Sequence, residues 1–157
     1  MRKDLSREQA LAILERAEVG HLATCNADEP YVVPLNFVYY GERVYFHCSP
    51  QGRKLANITA NPRVCFQVES EWRLIPQARA CSFTGHYYSA MVTGAAKVVD
   101  DPERRLAALR ALVAKYDPEG LAPVLTQEDL EKRPLVIVEI TPETVGGVDH
   151  ARLSAPS

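Results

Sequence analysis

Residues 43–62 read RVYFHCSPQGRKLANITANP, and they predict a strand, a polar loop and a short helix in that order. Residues 44–48 alternate between two sets of side chains, which is the pattern of a β-strand. The helix that follows is predicted to carry Arg53 and Lys54 in its first turn and to stop at residues 61–62, Asn-Pro. Two adjacent cations therefore stand where a helix begins.

The start of a helix is an unfavourable place for cations. Its first backbone N–H groups have no partner within the helix, and the macrodipole is positive there, so each cation costs about 0.3–1 kcal/mol. A bound phosphate reverses the sign, because the N–H groups and the side chains of Arg53 and Lys54 can all bond to it. The pattern therefore indicates an anion site, although two side chains that simply point into water would give the same sequence.

The run PYVVPLNFVYY, residues 30–40, is the longest β-like segment, and Pro34 lies in its middle. Proline cannot donate a hydrogen bond to a neighbouring strand, so this segment is predicted to lie at a sheet edge. A planar ligand along the strand would use the backbone groups that no strand claims, whereas an ordinary edge strand needs no ligand. The turn at residues 40–42 predicts a hairpin that brings this run beside residues 43–48.

The remaining elements predict a mainly β, α+β fold. Six strand-like runs outnumber the helices, and no alternation of strand and helix indicates a parallel sheet. A helix capped by Ser6 opens the chain, and Asp101 begins a second strong helix. Residues 70–82 lack periodicity and are predicted as a loop, and the last strand is predicted to end at residue 141, before a Gly-Gly tail. An antiparallel barrel with flanking helices satisfies this order.

Composition limits the classes of function. The chain has 157 residues, 46% of them apolar, which suits a single domain over residues 1–157. Its net charge of −2, without a basic stripe, argues against a nucleic-acid partner. No apolar run is long enough for a membrane span and no signal peptide is evident, so we expect a cytoplasmic protein. The four cysteines form no CxxC pair, and neither a metal site nor a redox dithiol is predicted.

Common catalytic motifs are absent from the sequence, namely GxSxG, GxGxxG, the Walker loop and HExxH. His47 and Cys48 are adjacent, but on a strand their side chains point to opposite faces and cannot act as a base and its nucleophile. His21 and His86 are predicted as ordinary strand or surface histidines. Trp72 either covers a ligand or a subunit contact, or is partly buried in the domain itself.

Two segments resemble one known family. Residues 32–68, VVPLNFVYYGERVYFHCSPQGRKLANITANPRVCFQV, and residues 87–99, YYSAMVTGAAKVV, are similar to the pyridoxamine 5′-phosphate oxidase-like flavin-binding proteins. Within that family the resemblance is to the branch that includes the 5-nitroimidazole-resistance proteins. It extends from residue 12 to about residue 141. It implies an antiparallel six-stranded split β-barrel that binds FMN.

The resemblance also implies where the flavin is held. Family members bind FMN at the interface of a homodimer, with the isoalloxazine ring along the strand that matches residues 32–36 and the phosphate at Arg53 and Lys54. His47 matches a histidine near the flavin and the small substrate, and it is the candidate proton donor because imidazole exchanges protons near neutral pH. The implied cofactor-binding residues are Val32, Val33, Pro34, Leu35, Asn36, Phe46, His47, Arg53, Lys54 and Ser89.

The function implied is an FMN-dependent oxidoreductase that reduces a small nitro- or quinone-like electron acceptor, with NAD(P)H as a candidate donor. Two departures from the family bear on this. The chain has Tyr-Tyr-Ser-Ala at residues 87–90, where the branch has Tyr-Arg-Ser-Val, and the tail VGGVDHARLSAPS lacks a match to the Trp and Arg that hold pyridoxal in the true oxidase. These departures argue against a vitamin B6 oxidase. The alternative is a flavin, deazaflavin or haem carrier without turnover, and FAD, deazaflavin and haem are the alternative cofactors.

Overall fold

The computed structural model describes residues 2–76, 79, 83–132 and 135–150, which form eight strands and four helices. The strands are β1 (Arg2–Leu5), β2 (Gly20–Asn26), β3 (Glu29–Leu35), β4 (Val38–Tyr40), β5 (Arg43–Cys48), β6 (Arg63–Ile75), β7 (Thr84–Val98) and β8 (Val136–His150). The helices are α1 (Arg7–Arg16), α2 (Arg53–Ala60), α3 (Pro102–Tyr116) and α4 (Gln127–Glu131). None of these four helices is both long enough and apolar enough to span a membrane.

The strands form one antiparallel sheet in the order β3-β2-β6-β7-β8-β5-β4, with β1 added to β8. β3 and β4 are consecutive in the chain but lie at opposite ends of this order, and only Asn36 and Phe37 connect them. A two-residue connection forces the ends of the sheet together, so the sheet curls into a barrel. Among the described residues no ladder joins β3 to β4, and we call this gap, with its link Asn36 and Phe37, the seam. This architecture is the split β-barrel, and the predicted fold class is confirmed.

Two apolar clusters hold the barrel and its helices together. The larger one fills the barrel and receives Ala10 and Leu14 from α1, both fully buried. The start of α1 is fixed by the predicted cap, in which Ser6 Oγ accepts a hydrogen bond from the Gln9 N–H at 3.2 Å. The smaller cluster lies between the sheet and α3, where Leu109 and Leu112 are buried. Each large side chain buried in this way contributes about 1.5–3 kcal/mol to stability.

Several strand boundaries differ from the prediction. The run at residues 30–40 divides at the seam into β3 and β4, and β1 is an additional strand, so the sheet has eight strands where six runs are predicted. Residues 70–75 belong to β6, not to a loop. The glycines at 146 and 147 lie inside β8, not in a tail. Of the remaining residues in the predicted loop at 70–82, residues 77, 78 and 80–82 lie outside the described part of the chain.

The long strand β7 explains these extensions. It pairs with β6 as far as Ile75 and with β8 as far as His150, and pairing to a long neighbour outweighs a weak local pattern. A register shift after Ser70 interrupts the alternation in β6. In β8, a Cβ on Gly147 would lie 2.7 Å from the Ser89 carbonyl oxygen, so this glycine permits close packing of two strands.

Candidate functional site

Helix α2 begins with what we call the cationic corner, made of Gly52, Arg53 and Lys54. Gly52 is the N-cap residue with φ 131° and ψ 163°, a conformation that glycine adopts without strain. Within the described chain, no side chain caps this helix start and no acidic residue lies in its first turn. The first N–H groups of α2 therefore have no side-chain cap, and Arg53 and Lys54 lie in its first turn, as the sequence predicts.

Arg53 extends from α2 to β3. Its Nη2 donates to Glu29 Oε2 at 2.9 Å, and its guanidinium lies 4.8 Å from the centre of the Tyr31 ring. The Glu29 carboxylate is 76% exposed, so water screens this ion pair strongly. Glu29 was not predicted from the sequence as a site residue. Its carboxylate pairs with Arg53, the same side chain that a bound phosphate would need.

Lys54 extends to the other side, toward β5. Its Nζ lies 5.6 Å from the centre of the Phe46 ring. Burial raises the pKa of the Cys48 thiol, and the nearby charge of Lys54 opposes that rise. Arg53 reaches β3 on one side of the seam, and Lys54 reaches β5, which pairs with β4 on the other side. The cationic corner therefore bridges the two sides of the seam.

Two asparagines fix α2 in this place. The buried Asn57 donates from Nδ2 to Thr24 Oγ1 at 2.9 Å, and Asn61 donates from Nδ2 to the Cys25 carbonyl at 2.9 Å. Ile58 anchors the same helix in the barrel core. These contacts hold the cationic corner on β2, the strand that pairs with β3.

β3 offers one free edge beside the cationic corner. It pairs with β2 over its whole length, and no other described strand pairs with it, so the predicted edge position of Pro34 is confirmed. Val33 and Leu35 pack against the core, whereas Val32, Pro34 and Asn36 are exposed. Val32 is 61% exposed. The segment at residues 32–36 thus presents unpaired backbone groups and a partly apolar face to solvent.

His47 lies on β5. It is exposed, whereas Cys48 is buried, so the prediction that the two point to opposite faces is confirmed. The β4–β5 ladder ends where Val38 opposes Tyr45, and Asn36 lies outside it. His47 is therefore two residues beyond the last pair of this ladder, on the strand that pairs with β4.

Phe46 and Ser89 are placed differently from the other predicted residues. The Phe46 side chain is fully buried, so only its backbone is left to face a ligand. Ser89 lies on β7, three strands from β3 along the sheet, a path of about 14 Å. It lines a separate groove of about 320 Å³ with Arg2, Met91, Gly146 and Val148. Within one copy of the chain, Ser89 is thus not brought to the cationic corner.

A second histidine near β3 was not predicted as a site residue. His21 is paired with Pro34 across the β2–β3 ladder, and its Nδ1 lies 3.7 Å from Glu69 Oε2. Gln67 Nε2 donates to the same Glu69 oxygen at 2.8 Å. The sequence contains a signal for this pairing, because counting outward from the tight turn at residues 27–28 sets His21 opposite Pro34.

The end of α3 reaches the seam. Tyr116 Oη accepts a hydrogen bond from the Phe37 N–H at 3.0 Å and lies 2.6 Å from the Glu18 carbonyl oxygen. Lys115 Nζ lies 3.6 Å from the centre of the Phe37 ring and has no hydrogen-bond partner among the described residues. Burial lowers the pKa of Lys115 to about 8, against the opposing effect of the Glu18 charge.

The Lys115→Met substitution is expected to change how stability depends on pH. The pKa of Lys115 is about 8 in the folded chain against 10.5 ordinarily, so the unfolded chain binds more protons between these values. The free energy of unfolding of the wild type should therefore rise as the pH increases from about 8 to about 10.5, and Lys115→Met should remove this rise. At neutral pH the variant should be more stable by about 1 kcal/mol. Urea titrations at several pH values, with Lys132→Met as the exposed control, measure this; parallel pH profiles of variant and wild type would contradict it.

Comparison with known proteins places the chain in a family. The fold and site define a split-barrel protein with a cationic corner at its seam. The family model described as pyridoxamine 5′-phosphate oxidase matches residues 6–148. The chain therefore belongs to the pyridoxamine 5′-phosphate oxidase family, and this prediction is confirmed.

Solved structures with the same fold include three informative ones. A candidate 5-nitroimidazole antibiotic resistance protein from Bacteroides thetaiotaomicron has a TM-score of 0.77 and 21% identity, covering 94% of this chain and 88% of that one. A FAD-binding protein from Mesorhizobium loti has a TM-score of 0.71 and 27% identity, with coverages of 96% and 99%. A FAD- and haem-binding protein from Mycobacterium smegmatis has a TM-score of 0.83 and 16% identity, with coverages of 98% and 77%. These likenesses confirm the split-barrel fold.

Proposed function

We propose that the chain is a cytoplasmic, homodimeric, FMN-dependent reductase of small nitro- or quinone-like acceptors. The observation that carries the proposal is the cationic corner beside the free edge of β3. A phosphate there would accept bonds from uncapped helix N–H groups and from Arg53 and Lys54, while a planar ring would lie along residues 32–36. The cationic corner therefore suits the phosphate of FMN, and the free edge of β3 suits its ring.

Each residue has a proposed role. Arg53 and Lys54 hold the phosphate, and the backbone of residues 33–35 bonds the ring edge. When bound, FMN supplies the hydride and electron transfer chemistry, since the protein has no redox group of this kind among its side chains. His47, exposed on β5, carries the proton that a reduced acceptor takes up.

A second copy of the chain is part of the proposal. Val32 is in register with Thr93 through Ala23 and Cys65, so Val32 projects from the same face of the sheet as Thr93 and as Met91, two residues before Thr93 on β7. Their exposed fractions are 61% and 49%. An apolar face of this kind suits a partner subunit. The partner could also bring its own Ser89 groove to the flavin, which one copy of the chain does not do.

A carrier without turnover is the second candidate. The sequence has no GxGxxG fingerprint for a nicotinamide cofactor, and the Mycobacterium smegmatis protein of the same fold binds FAD and haem. A flavin, deazaflavin or haem carrier could use the same seam. It would need the cationic corner but not His47.

Purification followed by titration separates these candidates. The reductase is expected to bind FMN in preference to FAD, and NAD(P)H with a nitro- or quinone-like acceptor should give turnover. His47→Gln should slow acceptor reduction about 100-fold and change the affinity for FMN far less. Failure to take up FMN would overturn the flavin proposal. FMN binding without turnover with any donor and acceptor would favour the carrier.

Glu29→Gln is expected to strengthen FMN binding about two- to fivefold. The substitution frees Arg53 from its 2.9 Å ion pair and removes a negative charge near the phosphate, and an exposed pair of this kind is worth up to about 1 kcal/mol. Titration with FMN, followed by its fluorescence, measures the change. Glu143→Gln is the matched control, because it breaks an exposed pair with Arg63 at 3.3 Å. Weaker binding in Glu29→Gln would mean that Glu29 holds Arg53 in its binding position.

A further inference from the structure

Only a two-residue link connects the two strands that border the seam. β3 ends at Leu35 and β4 begins at Val38, so Asn36 and Phe37 alone carry the chain from one end of the sheet to the other. Neither residue belongs to a ladder within the described residues. Their backbone groups therefore need partners other than a strand.

Helix α3 supplies such partners through its last residue. Tyr116 Oη lies 3.0 Å from Phe37 N, 3.1 Å from Phe37 O and 2.6 Å from Glu18 O. A hydroxyl has one proton to donate, and the short distance to Glu18 O indicates that it goes there, while the Phe37 N–H donates to the hydroxyl oxygen. One side chain thus ties the link between β3 and β4 to the segment that precedes β2.

The Phe37 side chain is held at the same time. It is fully buried, packs edge-on against Phe66 with ring centres 4.8 Å apart, and carries the Lys115 ammonium 3.6 Å from its own ring centre. A cation at this distance from an aromatic ring is attracted to it. Both the backbone and the ring of Phe37 are therefore fixed by the last two residues of α3.

We infer that Tyr116 is a positioning residue for the cofactor strand: by fixing Phe37 it sets the place of Asn36, where the proposed ring site leaves the β2–β3 ladder. This inference rests on the proposed function, because Asn36 belongs to the proposed ring site. Tyr116 is not among the residues proposed to hold the cofactor or the acceptor. Its effect is to prearrange Asn36, which β2 does not hold and which would otherwise have to be ordered when the flavin binds.

Comparison of Tyr116→Phe with Asp101→Ala tests the inference. Asp101 caps the other end of the same helix, accepting from the Arg104 N–H at 2.7 Å, so Asp101→Ala weakens α3 without touching the seam. Both variants should lower the melting temperature. Tyr116→Phe should raise the FMN dissociation rate about fivefold and alter the visible spectrum of the bound flavin, whereas Asp101→Ala should leave both unchanged. Equal effects of the two variants on FMN, or none from either, would overturn the inference.

Amide hydrogen exchange of the wild type gives a test that needs no variant. The Phe37 amide should exchange slowly in the protein free of FMN, because its partner is already in place. Fast exchange of this amide before FMN is added would overturn the inference even if Tyr116→Phe failed to fold. A protein that protects the Phe37 amide but does not bind FMN would retain the link between α3 and the seam and refute the proposed function alone.

Discussion

FMN binding is expected to weaken by about 3 kcal/mol or more, which is about 100-fold or more, when Arg53 and Lys54 are both replaced by alanine. Each side chain can give the phosphate a charged hydrogen bond worth about 1.5–3 kcal/mol. The first N–H groups of α2 remain in the variant, so some affinity for an anion should persist. Isothermal titration of FMN into wild type and variant measures the loss.

The control for this experiment removes the same charge elsewhere. Arg7→Ala combined with Lys132→Ala deletes two cations outside the cationic corner, both of them exposed. If FMN affinity depended only on the overall charge, this control would weaken binding as much as the double substitution at α2. The site proposal predicts that the control binds like wild type, and an unchanged affinity in the Arg53 and Lys54 variant would refute the phosphate assignment.

Gly94→Ala is expected to destabilise the protein by about 3 kcal/mol. A Cβ at this position would lie 2.1 Å from the Thr141 carbonyl oxygen and 3.2 Å from the Glu143 nitrogen, both of them backbone atoms of β8. Because backbone atoms in a ladder cannot move aside like a flexible side chain, β7 and β8 would have to separate at the irregularity between Thr93 and Gly94.

Gly146→Ala is the matched control for that substitution. It places the same methyl group on β8, where nothing lies within 4 Å of the new atom. Urea unfolding should therefore show a change of less than about 0.5 kcal/mol for Gly146→Ala. Equal midpoints for Gly94→Ala and wild type would show that the close approach of the two strands is not a tight constraint.

Local features of the site were predictable from the sequence because their physics is local. The strand at residues 43–48, the helix start at Arg53 and the cap of α3 at Asp101 each depend on side chains within a few positions of one another. The edge position of Pro34 follows in the same way, since a missing N–H limits where a residue can lie in a sheet. From these features the sequence predicts that the cationic corner and the free edge of β3 lie close together.

Contacts between distant parts of the chain were not predictable. Tyr116 is 79 residues from Phe37, and Glu29 is 24 residues from Arg53. Neither side chain stands out by type or spacing, since a tyrosine at the end of a helix and a glutamate next to a turn are common. The extension of β8 to His150 had the same cause, because it depends on pairing with β7 and not on the glycines in its own sequence.

A crystal structure of the protein grown with FMN tests the central claim most directly. The proposal predicts flavin density at the seam, with the phosphate at the start of α2 against Arg53 and Lys54 and the ring along residues 32–36. Glu29 should have released Arg53 in that structure. The proposal would be contradicted if FMN were bound elsewhere, or if a crystal saturated with FMN showed no FMN density at the seam.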